Sequence, residues 1–153
     1  MKIKFIATGK MQSTELLHLT DFYAKRIKPY IPFESITVPA ARHTQTQKAL
    51  QEEYTAQKKH VSPGDMLILL DETGTAYTSV AFAKTIRSWQ DTGTKQVVFI
   101  TGGAYGFHPD AYGMAHAKIR LSDMTFPHEL VRVLFLEQLY RAFTIMHNQP
   151  YHH

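Results

Sequence analysis

Short apolar runs alternate with amphipathic stretches along the whole chain. Residues 3–8 are apolar and closed by Gly9, which predicts a strand. Ser13 or Thr14 can cap a helix that carries Leu16, Leu17, Phe22 and Ile27 and stops at Pro29 and Pro32. Residues 33–38 alternate and are rich in β-formers, and Pro39 breaks them. The polar residues 40–47 predict a mobile loop. The helix after them runs to about His60 and is so poor in apolar residues that it predicts an exposed element. Ser62-Pro63-Gly64-Asp65 is a turn. Residues 66–71 form a continuous apolar run, the pattern of a parallel strand buried on both faces. Residues 72–75 read as a turn, and Ser79 as the cap of a helix with Phe82, Ile86 and Trp89 on one side and Gly93 at its end. Residues 97–101 predict a second doubly buried strand, Pro109 and Asp110 a short helix, residues 118–122 a fifth strand, and Pro127 the start of a last helix.

Five strands alternating with helices imply an α/β fold: one open, mostly parallel sheet with helices on both faces. At 153 residues, with no repeat or linker, the chain reads as a single domain over residues 1–153. Ligands of such sheets bind at the carboxyl ends of the strands. Three segments arrive there: Leu70-Asp71, Gly102-Gly103 and residues 121–126. They form one pocket if their strands are neighbours. Glycines at 102 and 103 leave room for a planar ligand against bare backbone, and Gly106 permits a positive φ. The same loop also suits an ordinary strand–turn–helix connection. It is not the dinucleotide fingerprint, since no acidic residue follows at the ribose-binding spacing, and no Walker sequence is present.

Composition narrows the chemistry. The hydrophobic fraction of 44% is that of a globular protein, and the net charge of +4 suits an anionic partner such as RNA without specifying one. With no cysteine there is no disulfide, no thiolate nucleophile and no cysteine-held metal. No apolar run reaches the roughly 18 residues of a membrane span. The opening residues are too few and too charged for a signal peptide, so a cytoplasmic location is expected, with no membrane and no metal partner.

Two features remain. The last helix is apolar over most of its circumference, from Leu130 to Met146. Either it is sandwiched within the chain, or a second copy covers what the sheet does not, which is the simpler expectation for a chain of this size. Glu137 and Arg141 are spaced to pair, while Arg132 lies on another face, from which it could reach a partner's pocket. The chain closes on His147, Pro150, Tyr151, His152 and His153. Three readings of such a tail stand open: a frayed terminus, adventitious metal binding or, stiffened by Pro150 and Tyr151, an imidazole able to take a proton at physiological pH.

As a set these residues resemble the small SPOUT methyltransferases, and among them the RlmH (YbeA-type) group. The matching pieces are Leu69-Leu70-Asp71, residues 100–106, residues 121–128, Val131-Arg132-Val133, residues 137–142 and Pro150-Tyr151-His152. The resemblance spans essentially the whole chain and implies a C-terminal trefoil knot, a homodimer and S-adenosylmethionine as methyl donor. It implies transfer to N3 of a pseudouridine in 23S ribosomal RNA, in a stem-loop presented by the assembled ribosome. By the same resemblance the donor is held by Leu70, Gly102, Gly103, Leu121, Ser122, Asp123, Met124, Thr125 and Phe126. His152 is then the base that takes the N3 proton, Arg132 steadies developing charge or a phosphate, and Tyr151 packs beside the uracil ring. The chain departs from the family at His153, where Arg or Lys is usual, and at Glu129, where a neutral residue is more common. The alternative is a non-catalytic ribosome-binding factor that keeps the fold.

Overall fold

The computed structural model describes residues 1–152. The expectation attached to His153 lies outside the described residues. Five strands, β1 (Lys2–Thr8), β2 (Phe33–Val38), β3 (Met66–Ala76), β4 (Gln96–Thr101) and β5 (Ala117–Arg120), form one sheet in the order β2-β1-β4-β3-β5, and every neighbouring pair is parallel. Helices α1 (Thr14–Ile27), α3 (Ser79–Asp91) and α5 (His128–Met146) cover one face, and α2 (Thr46–Lys58) and the short α4 (Pro109–Met114) the other. The fold class read from the sequence is thus the observed one.

The apolar runs that open β3 and fill β4 are continuous because these strands are buried on both sides. Phe5, Phe99 and Phe135 build the centre of the larger core, with ring centroids 4.9 Å apart for Phe5–Phe135 and 4.7 Å for Phe99–Phe135. Tyr54, Leu69, Val98 and Phe107 close the opposite face.

Several local expectations are corrected. Residues 72–75 do not end the third strand. The ladder with β5 shifts register, Leu70 and Thr75 both facing Ile119, so the strand resumes as far as Ala76. Gly74 permits the shift, since a Cβ there would lie 2.6 Å from the Ile119 nitrogen. Thr78, not Ser79, caps α3, its hydroxyl accepting from the Ala81 amide at 3.1 Å. Helix α2 is not wholly exposed: Ala49, Glu53, Tyr54 and Gln57 form one buried face. The loop before it is tied down, the Ala41 and Arg42 amides donating to Glu53 and Glu52 at 3.1 and 3.2 Å. Helix α5 lies between α1 and α3 on the sheet, so its inward apolar circumference is covered within the chain. Its outward apolar positions Leu130, Val131 and Leu134 are only half-buried.

Candidate active site

The three strand ends named above adjoin, because β4, β3 and β5 are consecutive in the sheet. Their loops enclose a cleft of about 470 Å³, walled by Leu70 to Thr73, by Thr101 to Phe107, and by Tyr112, Phe126, His128 and Val131. A smaller cavity of about 130 Å³ continues it, sharing Leu70, Asp71, Phe126 and Val131 and adding Leu121, Ser122, Met124 and Thr125. A third hollow, about 270 Å³, opens on the far side of Phe126 between Leu121, Ser122 and Leu134.

The glycine loop is shaped by contacts that only glycine allows. A Cβ on Gly102 would lie 2.6 Å from the carbonyl oxygen of Gly106 and 2.9 Å from its carbon. The loop closes on itself there, with the Gly106 amide donating to the Gly103 carbonyl at 3.2 Å and Gly106 at φ +80°. A Cβ on Gly103 would strike the carboxylate of Glu53. Glu53 comes from α2, is buried and accepts from the Ala41 amide. Burial pushes its carboxyl above the usual range, and neighbouring Glu52 adds to the rise against the opposing Ala41 hydrogen bond and His128.

Asp71 is the fixed charge of the cleft. Its carboxylate accepts from the Tyr112 hydroxyl at 2.7 Å and from the Thr73 amide at 2.8 Å, and Lys118 reaches Thr73 Oγ1 at 2.8 Å. Burial alone would raise its pKa, but the Thr73 and Tyr112 hydrogen bonds and the Lys118 ammonium together outweigh burial and hold it below the ordinary value. Burial and the Asp71 carboxylate push the Tyr112 hydroxyl up to about 12, so it remains a donor.

Of the residues singled out in the sequence, Leu70, Gly102, Gly103, Leu121, Ser122, Met124, Thr125 and Phe126 line these connected spaces. Asp123 points outward instead and pairs with Arg120 at 2.8 Å, while Ser122 Oγ accepts from the Met124 amide at 2.9 Å, which turns the loop. Asp71, named with the strand ends but not among the donor-holding residues, belongs to the cleft, as do Tyr112 and His128, which were not singled out. His128 lies within a motif already quoted. Tyr112 had no signal, because its place depends on how α4 returns to β3.

The tail and Arg132 lie elsewhere. Tyr151 sits on the outer side of α5 and α1, its ring 4.8 Å from that of Tyr140 and under the Arg141 guanidinium at 4.7 Å. Its hydroxyl meets Glu137 at 3.1 Å and Tyr23 at 3.5 Å, and the expected Glu137–Arg141 pair is present, with Nε to Oε1 at 2.9 Å. Burial and the Tyr23 contact raise the Tyr151 pKa. None of these partners lines the cleft, and neither do Tyr151 and His152 of the same chain. Arg132 turns inward, 3% exposed, and donates to the Thr8 carbonyl, so it does not project from the surface towards a second copy.

This parallel sheet, with a glycine-walled cleft at the ends of its last three strands, matches a family described as "Predicted SPOUT methyltransferase" over residues 1–152. The chain belongs to the SPOUT methyltransferases. Within them it groups with proteins named ribosomal RNA large subunit methyltransferase H. That of Flavobacterium psychrophilum is 43% identical, covering 100% of this chain and 99% of the relative. That of Parabacteroides distasonis is 40% identical with the same coverage. Among solved structures, a probable methyltransferase from Bordetella pertussis shares the fold at TM-score 0.55 and 16% identity, covering 93% of this chain and 96% of that one. A probable methylase family protein from Haemophilus influenzae does so at TM-score 0.58 and 11% identity, covering 99% and 70%. No helix among the described residues is long and apolar enough to cross a membrane. They also hold no cluster of three potential metal-ligating side chains.

Proposed function

We propose that this chain is a single SPOUT domain, knotted at its C-terminal part, that methylates N3 of a pseudouridine in 23S ribosomal RNA. It works as a cytoplasmic homodimer on a stem-loop of the assembled ribosome, with S-adenosylmethionine as donor. The observation that carries the reading is the cleft at the β4, β3 and β5 ends, where Gly102 has no room for a Cβ, in a chain of a methyltransferase family. The RNA target is supported by the names of the relatives.

The residues fit the donor. Leu70 and Phe126 offer apolar walls, the backbone at Gly102 and Gly103 a flat, hydrogen-bonding edge, and Asp71 a carboxylate kept ionised. Leu121 to Phe126 close the remaining side, with Asp123 bracing that loop through Arg120. S-adenosylmethionine, when bound, supplies a methyl group on a positively charged sulfur. The protein's own task is to exclude water, orient the acceptor and remove a proton. N3 of the pseudouridine carries that proton, and His152 takes it as general base. Tyr151 lies beside the uracil ring, and Arg132 steadies negative charge on the RNA side.

The position of the tail supports a two-chain site. Tyr151 is held by Tyr23, Tyr140, Glu137 and Arg141, so His152 serves the cleft of the other copy. Leu19 and Phe22, on one face of α1, are 43% and 45% exposed and offer an apolar surface for that contact. Calorimetry with S-adenosylmethionine tests the donor assignment. Saturable binding to the wild type that Gly102→Ala weakens is expected, whereas no binding would favour the non-catalytic ribosome-binding factor.

A further inference from the structure

A second cavity, of about 420 Å³, opens between α1 and the carboxyl ends of β1 and β2, outside the donor cleft. Its floor is apolar, formed by Phe5 and Ala7 with Leu17 of α1 above. Its polar lining is cationic and hydroxylic: Lys10, Arg132, Thr20, Ser35 and Thr37, with no carboxylate among the described residues that line it.

Arg132 is the informative member. Its side chain is deeply buried, Nη2 donates to the Thr8 carbonyl, and Nε has no partner among the described residues. The acid one turn earlier, Glu129, has both oxygens engaged by backbone amides, Gln12 at 2.8 Å and Ser13 at 3.1 Å. A guanidinium removed from water is ordinarily matched by an anion. Glu129 supplies charge from nearby but no hydrogen bond to the guanidinium, so Nε stays free for a further acceptor, and Lys10 at the same cavity adds a second positive charge.

The position of the cavity adds to this. Thr8 links residues of the two sites: its carbonyl holds Arg132, and its hydroxyl reaches the Thr101 carbonyl at 3.4 Å on the donor side. Gln57 fixes that hydroxyl by donating to it at 2.9 Å. On α5, Val131 lines the donor cleft and the next residue, Arg132, lines the second cavity. Whatever occupies the second cavity lies immediately beside the donor cleft.

We infer that this cavity receives one nucleotide of the RNA flanking the methylated base, with its phosphate on Arg132 and Lys10 and its base on the apolar floor. Two cations without an acid select an anion. A bare phosphate would leave the floor of Phe5 and Ala7 uncovered, while a base covers it and meets the hydroxyls of Thr20, Ser35 and Thr37 with its polar edge. The volume lies within the roughly 300–1,000 Å³ usual for small-ligand sites. The inference rests on the RNA substrate proposed above.

The test titrates the intact protein with the trinucleotide UpUpU and, separately, with inorganic phosphate. Wild type, Lys10→Ala and Thr37→Phe are compared, Thr37 being an exposed wall position where a larger ring occupies the cavity. Saturable UpUpU binding that each variant weakens at least tenfold, with affinity for S-adenosylmethionine within twofold of wild type, is expected. Equal UpUpU affinity in all three proteins overturns the inference, as does phosphate binding as tightly as UpUpU. A change of sedimentation from two chains to one in Thr37→Phe also overturns it, by making the cavity the seat of a second copy. The two readings fail separately. If UpUpU follows the expected pattern but the wild type methylates no ribosomal RNA, the proposed function fails and the nucleotide site stands. If methylation proceeds and both variants keep the wild-type KM for ribosomes, the nucleotide site fails and the function stands.

Discussion

Replacing Gly102 by Ala adds one methyl group at the point where the glycine loop folds onto itself. The new Cβ would stand 2.6 Å from the Gly106 carbonyl oxygen and 2.9 Å from its carbon, and both are backbone atoms that no rotamer change can move aside. The loop must open by several tenths of an ångström or more, which strains the 3.2 Å bond from the Gly106 amide to the Gly103 carbonyl. Overpacking of this kind costs roughly 1–3 kcal/mol, and the weakened hydrogen bond belongs to the same order, about 1 kcal/mol. In a chain of this size each 1 kcal/mol lowers Tm by about 2–4 °C, so a fall of about 2–12 °C is expected. Donor affinity should fall more sharply than stability, because the displaced backbone is the wall of the cleft; a loss of about 1.4 kcal/mol is tenfold in Kd. The assay is calorimetry with S-adenosylmethionine beside thermal unfolding followed by circular dichroism. Gly113→Ala is the control: nothing lies within 4 Å of a Cβ there, and its helical position makes alanine neutral or stabilising by up to about 1 kcal/mol. A Gly102→Ala protein that binds the donor with wild-type Kd would refute the assignment of this loop as the donor wall.

Other consequences follow from the same contacts. Tyr112→Phe removes a 2.7 Å hydrogen bond from the Asp71 carboxylate, so Asp71, followed by carboxyl-carbon NMR, should titrate closer to its ordinary value. Since the folded pKa of Asp71 is depressed, its contribution to stability is complete above the unfolded value of about 3.9 and is lost as pH falls through the folded value; Asp71→Asn should flatten the acid limb of a Tm-against-pH curve. His152→Ala should leave donor Kd unchanged and lower kcat by about 10²–10⁴-fold, the usual range for a lost general base. Mixing His152→Ala with Gly102→Ala chains should restore part of the turnover, because one mixed dimer pairs an intact cleft with an intact tail; absence of any rescue would place tail and cleft in the same chain. Phe135→Ala opens the centre of the larger core between Phe5 and Phe99 and should cost about 3–5 kcal/mol in denaturant unfolding.

Much of the fold was legible because burial on both faces leaves a simple mark. β3 and β4 read as unbroken apolar runs and β1 as a shorter one, and the alternation with helices gives a parallel sheet. The strand order was not legible, since nothing local says that β4 inserts between β1 and β3. The extension of β3 was hidden because Glu72-Thr73-Gly74-Thr75 is turn chemistry, and only the close approach of β5 at Gly74 makes it a strand again. The circumference of α5 left two readings open, a sandwich within the chain or cover by a second copy, and α1 and α3 cover its inward side. The strand-end argument found most of the cleft: Leu70, Gly102 and residues 121–126 converge because β4, β3 and β5 are neighbours. Tyr112 and Glu53 escaped it, as each acts through a tertiary contact with Asp71 or Gly103. Arg132 was visible as a charge in an apolar helix, but its inward turn depends on the Thr8 carbonyl, which sequence spacing cannot reveal.

The most direct test of the proposed function is transfer of a labelled methyl group from S-adenosylmethionine to large-subunit RNA, supplied as free RNA, isolated subunits and whole ribosomes, with the product mapped by mass spectrometry. Label on N3 of a single pseudouridine, formed on ribosomal particles in preference to free RNA, is the predicted result. Donor binding without transfer to any of the three, or label on a different atom or nucleotide, would contradict the account.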